Sequence, residues 1–152
     1  MSYPRQQAGG EMTAIQTILL SNTTTAPDTG TKGSAGIDLA CDEPFILQPN
    51  ERRLIGTGIA MAIPEGMWGE IKPRSSLAVQ YGIDIMAGVI DSDYRGEIKV
   101  LMHNTGNRPL RCLTGDRIAQ MVIQKHEAVK IMLRDELDNT VRGSGGFGST
   151  GK

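Results

Sequence analysis

From Gly36 onward the chain is cut into short apolar runs by turn residues at close spacing, and this rhythm constrains the fold more than any other feature. The runs are GIDLAC, PFILQPNE, RRLIGTGIAMAI, PEGMWGEIKP, IDIMAGVID, GEIKVLMHN, PLRCLTGD, RIAQMVIQK and AVKIML. Val, Ile, Leu and Met fill them; Pro-Asn, Pro-Glu-Gly, Thr-Gly-Asn and Thr-Gly-Asp punctuate them. Each run suits a strand and each interruption a turn, so the pattern predicts an all-β sandwich or jelly roll rather than alternating βα units. An earlier strand is expected over 14–20 (AIQTILL), followed by a polar loop over 21–34. One segment reads as a short helix, 75–81 (SSLAVQY), with Ser75 or Ser76 as its N-cap.

The ends differ from this β domain. Residues 1–12 are polar and carry Gly and Pro, and are expected to form a flexible arm; the domain then spans 13–138. Residues 139–152 end in RGSGGFGSTGK, where glycine makes helix or central strand too costly in backbone entropy. Such a tail is either solvated chain or a ligand-binding arm. Phe147, one of only two phenylalanines, favours the arm. Bare backbone N–H groups, the Ser149 and Thr150 hydroxyls, Arg142 and one flat ring are the parts needed to hold a phosphate chain and stack on a base. Gly146–Lys152 formally fits G-x-x-x-x-G-K, but no helix and no Ser or Thr follows Lys152, so a P-loop is not expected.

The 152 residues suit one domain, and a net charge of −1 argues against a nucleic-acid-coating protein while leaving room for a small anion at a local basic site. Cys41 and Cys112 make neither a disulfide framework nor a metal cluster, and His103 and His126 have no metal-ligand spacing. No membrane span and no secretory signal is visible, so a reduced intracellular, cytoplasmic setting is expected.

Four stretches carry chemistry. In AGVIDSDYRGEIKV a β-hairpin is expected whose tip bears carboxylates, a ring and a cation; Asp91 abuts the apolar strand end, where a carboxylate can be positioned to take a proton from water. Ordinary turn chemistry explains the same residues equally well. In KPRSSLA, free N–H groups, two hydroxyls and Arg74 form either a phosphate cradle or a plain cap. In SAGIDLA, Asp38 lies in an apolar strand and needs a partner, for which Arg74 is the candidate. In GDRIAQMVI, Arg117 and Gln120 sit on a strand, and Gln120 is either a buried hydrogen-bonder or solvent-facing.

Taken in order, AGIDLA, PRSSLA, GVIDSDYRGEIKV, GDRIAQMVI and RGSGGFGSTG resemble the five signature motifs of the trimeric dUTPase family, and they run from Ala35 to Gly151. The resemblance implies a β-jelly roll assembled as a homotrimer, with each site built from three subunits and closed by a C-terminal arm. It implies hydrolysis of dUTP to dUMP and pyrophosphate with Mg2+ on the triphosphate, keeping uracil out of DNA and supplying dUMP for thymidylate synthesis. By motif position, Asp91 is the implied general base acting on a water that strikes the α-phosphorus. Tyr94 is the implied ring against deoxyribose that excludes a 2′-hydroxyl. The backbone of Gly88, Val89, Ile90 and Asp91, with Lys99, is implied to read uracil. Arg74, Ser75 and Ser76 are implied to grip the phosphates, and Gln120 to stand near the α-phosphate and the water. Asp38 is implied to support the Arg and the metal's water shell, without direct ligation of the metal by protein. Arg142, Phe147, Gly148, Ser149 and Thr150 are implied to form the arm, with Phe147 stacked on uracil. Ile37 stands where many members have tyrosine, and Ser76 where many have glycine. Two alternatives share the scaffold: a dCTP deaminase relative, and a nucleotide-responsive regulator.

Overall fold

A computed structural model describes residues 13–148. The expected arm at 1–12 and the last four residues of the expected 139–152 arm, Ser149 and Thr150 among them, lie outside the described residues. In chain order the elements are β1 (Gln16–Leu19), β2 (Asp28–Thr29), β3 (Gly36–Ala40), β4 (Phe45–Leu47), β5 (Arg52–Gly56), β6 (Ile59–Ala62) and β7 (Met67–Pro73). They continue with α1 (Ser75–Tyr81), β8 (Ile83–Met86), β9 (Val89–Ile90), β10 (Lys99–Asn104), β11 (Leu110–Cys112) and β12 (Arg117–Lys125).

Every ladder is antiparallel. The largest runs β2-β3-β12-β7-β9, a second runs β5-β10-β8, and the pairs β1-β6 and β4-β11 complete a mostly-β, jelly-roll-like body. Alternation along the strands sorts side chains as the pleat requires. On β10, Val100, Met102 and Asn104 are fully buried while Lys99, Leu101 and His103 point outward. The core joins Leu39 of β3, Leu47 of β4, Ile118, Ala119 and Met121 of β12 and Ile98, all at zero exposure. Asn104 is tolerated there because its amide is satisfied: Nδ2 donates to the Leu47 and Arg108 carbonyls, and Oδ1 accepts from Gly106 N–H.

Three expectations are corrected. The helix forms as expected over Ser75–Tyr81, but its N-cap is Arg74, with no side-chain capping bond, so neither serine caps it. The hairpin does not pair its own two apolar arms. β10 instead pairs β8, with Leu101 opposite Met86, while Val89–Ile90 leaves to pair β7. The cause is local: Ala87 (φ 58°) and Gly88 (φ 90°) are both left-handed and turn the chain out of one sheet toward the other. Gly88 is also required by proximity, since a Cβ there would sit 2.9 Å from the Ile71 carbonyl oxygen. Finally, AVKIML (128–133) forms no strand: among the described residues it pairs with no strand, and Val129, Ile131 and Leu133 are exposed.

Candidate active site

The largest sheet assembles one cluster of the motif residues. β3 and β12 pair with Asp38 directly opposite Gln120, and β12 pairs β7 with Gln120 opposite Lys72. Asp38 is therefore carried beside the chain that leaves β7 through Pro73 into α1. Its Oδ1 lies 3.4 Å from Arg74 Nε and its Oδ2 3.0 Å from Arg117 Nη1. Arg74 Nη1 also donates to the Arg117 carbonyl at 3.2 Å. One half-buried carboxylate thus holds two guanidiniums. Ion pairs this open to water contribute only ~0.2–1 kcal/mol each, so the cluster is better understood as orienting charge than as stabilising the fold.

Gln120 is half-buried and donates from Nε2 to the Pro73 carbonyl at 3.0 Å. A Cβ on Gly36 would collide with the Gln120 side chain, so glycine in the AGIDLA stretch is what lets Gln120 lie across the strands. Ser75 and Ser76 are exposed at the start of α1, beside this cluster. A pocket of about 310 Å³ opens on its other side, between Asp28, Asp38 and Arg117. Arg117 had no role assigned from sequence. The available signal was a second arginine following a Gly-Asp turn at the head of an apolar strand.

The second cluster is the loop after β9. Asp91 opens a turn, its carbonyl accepting from Tyr94 N–H at 3.2 Å, a position that aspartate favours. The Tyr94 hydroxyl donates to the Glu97 carbonyl at 2.9 Å, pinning a half-exposed ring across the loop. Arg95 is spent on the loop itself, donating to the Ser92 and Tyr94 carbonyls. Lys99 is tethered to Glu97 at 3.5 Å, and Glu97 in turn accepts from Gly58 N–H. Asp91, exposed, borders a cavity of about 720 Å³ with Trp68, Asp93, Arg95 and His126.

The two clusters occupy opposite ends of β7. Ile90 pairs Gly69, which sets Asp91 level with Trp68, whereas Arg74 follows Pro73 at the far end. Six residues of strand from Trp68 to Arg74 span about 20 Å at ~3.3 Å per residue. Among the described residues no ion pair or hydrogen bond joins the clusters. Among the described residues the third group stands apart from both: Phe147 is fully exposed, and Arg142 Nε donates to the Gly145 carbonyl of its own segment.

Among the described residues no group of three His, Cys, Asp or Glu side chains could hold a metal. No helix among them is long and apolar enough to cross a membrane. Cys41 and Cys112 are free and buried, and burial pushes both thiols up, Cys112 to about 12.

The dUTPase family model matches residues 22–151. The chain is 43% identical over 140 residues to the deoxyuridine 5'-triphosphate nucleotidohydrolase of Paramecium bursaria Chlorella virus 1, covering 92% of this chain and 99% of that protein. It is 49% identical over 124 residues to the Anaeromyxobacter sp. protein of the same name, covering 80% and 84%. Its fold is similar to that of the Staphylococcus bacteriophage 80alpha dUTPase solved with dUPNHPP, with TM-score 0.86, 27% identity and coverage of 93% of this chain and 100% of that one.

Proposed function

The chain belongs to the dUTPase family, and from that premise we propose that it is a dUTP diphosphatase, hydrolysing dUTP to dUMP and pyrophosphate at sites shared between the subunits of a homotrimer. The observation that carries this reading is the complementarity of the two ends of β7. One end holds Arg74 and Arg117 oriented by Asp38, with the Ser75 and Ser76 hydroxyls beside them; the other holds the exposed Asp91 carboxylate on the loop after β9. A nucleotide's α-phosphate cannot meet both across about 20 Å of strand, so a site with base and phosphate grip needs a second copy. The exposed Val129, Ile131, Leu133 and Leu137 support the same reading, since a segment whose apolar side chains stay exposed among the described residues suits packing on a neighbour.

In this mechanism Asp91 accepts a proton from a water that attacks the α-phosphorus. The bond to the bridging oxygen breaks and pyrophosphate leaves. Arg74, Ser75 and Ser76 of a neighbouring subunit hold the phosphates, and Gln120 orients the α-phosphate and the water. Asp38 fixes the heading of Arg74 and Arg117. Asp38, already engaged by two guanidiniums, would reach a Mg2+ on the substrate through water rather than by direct ligation, and the ion would supply screening of the triphosphate charge. Backbone groups from Gly88 to Asp91 and Lys99 read uracil. The Tyr94 ring fills the space of a 2′-hydroxyl. Arg142, Phe147, Gly148, Ser149 and Thr150 close the site, Phe147 by stacking on uracil.

Incubation with dUTP, UTP and dCTP tests the whole reading. Pyrophosphate release from dUTP alone is expected, with UTP admitted in Tyr94→Ala. Ammonia release from dCTP would make the chain a deaminase. Nucleotide binding without turnover would make it a regulator.

A further inference from the structure

Lys72 opens the KPRSSLA stretch and has no task in the mechanism above. The pairing register places it. Directly opposed residues of an antiparallel ladder share a face. Asp38 on β3 stands opposite Gln120 on β12, and Gln120 stands opposite Lys72 on β7, so the three make one row across the sheet. Their chain neighbours Leu39, Ala119, Met121 and Ile71 are buried, which puts the row on the face turned away from the core. Arg74, two residues beyond Lys72, joins the row through its ion pair with Asp38. Lys72 is also held on that face. Its Nζ lies 2.9 Å from Oε1 of Glu70, one pleat repeat back along β7, and Glu70 Oε2 accepts from Gln124 Nε2. An ammonium has three donors, and among the described residues Glu70 is the one side chain this exposed ammonium engages.

We propose that Lys72 is a further substrate-contacting residue, donating to a non-bridging oxygen of the dUTP α-phosphate beside Gln120, with Glu70 as the anchor that keeps it there. The inference rests on the dUTP diphosphatase reading and adds a residue to its site. Opposed residues have Cβ atoms about 4.5–5.5 Å apart, and lysine carries its charge on a flexible four-carbon stem, so the ammonium reaches what the Gln120 amide touches. Gln120 is then flanked on one side by Asp38 with its two guanidiniums and on the other by Lys72. A phosphate seated on Gln120 meets cations from both flanks. As the water oxygen bonds to the α-phosphorus and its proton passes to Asp91, charge grows on the non-bridging oxygens until the bond to the departing pyrophosphate breaks. An ammonium fixed at those oxygens acts most strongly at that moment.

Lys72→Met in the full-length protein tests it, because the change keeps an unbranched stem and removes the charge at an exposed position. With folding checked by circular dichroism, kcat on dUTP is expected to fall at least ~10-fold. Product and fragment inhibition then locate the contact. The inhibition constant of dUMP, which keeps the α-phosphate, is expected to rise ~5-fold or more, while those of deoxyuridine and pyrophosphate stay within ~2-fold. Lys72→Arg is expected to return kcat to within ~3-fold of wild type, since it restores a cation on that face. Unchanged kcat and unchanged dUMP inhibition in Lys72→Met would overturn the contact and leave Lys72 a surface ion pair. Equal weakening of dUMP and deoxyuridine would overturn it too, since a general distortion of the site affects both. A wild-type protein that does not turn over dUTP would instead sink the dUTP diphosphatase reading itself.

Discussion

The two ends of β7 are built in opposite ways. At the Pro73 end, strands on both sides fix the groups: Asp38 from β3, Gln120 and Arg117 from β12, and Arg74 entering α1, tied by contacts that cross between elements. At the Trp68 end, β9 is only two residues long, and Asp91 and Tyr94 hang on a loop whose bonds are mostly to itself. In the proposed mechanism the braced end grips the multiply charged chain in a fixed frame, and the looser end carries the base and the ring that settle on the nucleotide when it arrives. On the proposed function, these tasks lie about 20 Å apart in one subunit and symmetry is what reunites them.

Mixing variants is the strongest way to break this comparison. Asp91→Asn keeps shape but removes the proton acceptor, and is expected to cost at least ~10²-fold in kcat with dUTP binding retained. Arg74→Ala removes the grip at the other end. Neither variant alone should turn over well. In randomly mixed trimers half the hairpins and half the grips are intact, so about a quarter of sites should regain both and activity should return to that level. No rescue in verified mixed trimers would mean that both ends serve one site in one subunit.

Much of the braced end is legible in the sequence. A charge inside the apolar run GIDLA demands a partner, and Arg74 is an obvious one. Arg117 was not legible, because its link to Asp38 depends on the β3–β12 register with an irregularity between Arg117 and Ala119. Alternation does not reveal such a shift. The role of Gly36 was hidden for a similar reason, since its crowding by Gln120 comes from across the ladder. The hairpin expectation fails because, although two apolar arms flanking a turn normally pair, these two join different sheets. Here Ala87 and Gly88 redirect one arm, and left-handed alanine has no sequence signature. AVKIML has a strand's composition but pairs with no strand among the described residues, and composition does not say whose sheet a strand joins.

The C-terminal segment sharpens the comparison with a smaller effect, because it belongs to neither end. Truncation after Asn139 removes Arg142 and Phe147. Loss of a base–aromatic stack is worth ~1–3 kcal/mol, roughly 5- to 150-fold in affinity. Loss of phosphate contacts that matter most as pyrophosphate departs should lower kcat as well. Both are measured by steady-state kinetics at saturating and limiting dUTP. The trimer should persist, since none of the described residues removed belongs to the core. Full activity in the truncated protein would reduce the segment to a tail.

The smallest effect concerns what stiffens the braced end from beneath. Cys41 follows β3 and Cys112 ends β11 just before β12, so the two buried thiols floor the strands that carry Asp38 and Gln120. Burial raises both, and for Cys112 the nearby Cys41 and Asp116 add to it, taking the thiol to about 12 from an ordinary value of 9.0. A raised thiol stays protonated in the folded chain while the unfolded chain ionises, so stability is intact below pH 9 and is lost as pH rises toward 12. By pH 10 the loss from Cys112 should be on the order of 1 kcal/mol, a few degrees in Tm for a protein of this size. Cys112→Ala should lower Tm at neutral pH by opening a small cavity, yet show a shallower decline between pH 8 and 10.5. Parallel Tm–pH curves for the two proteins would show that this thiol does not couple ionisation to the footing of the braced end.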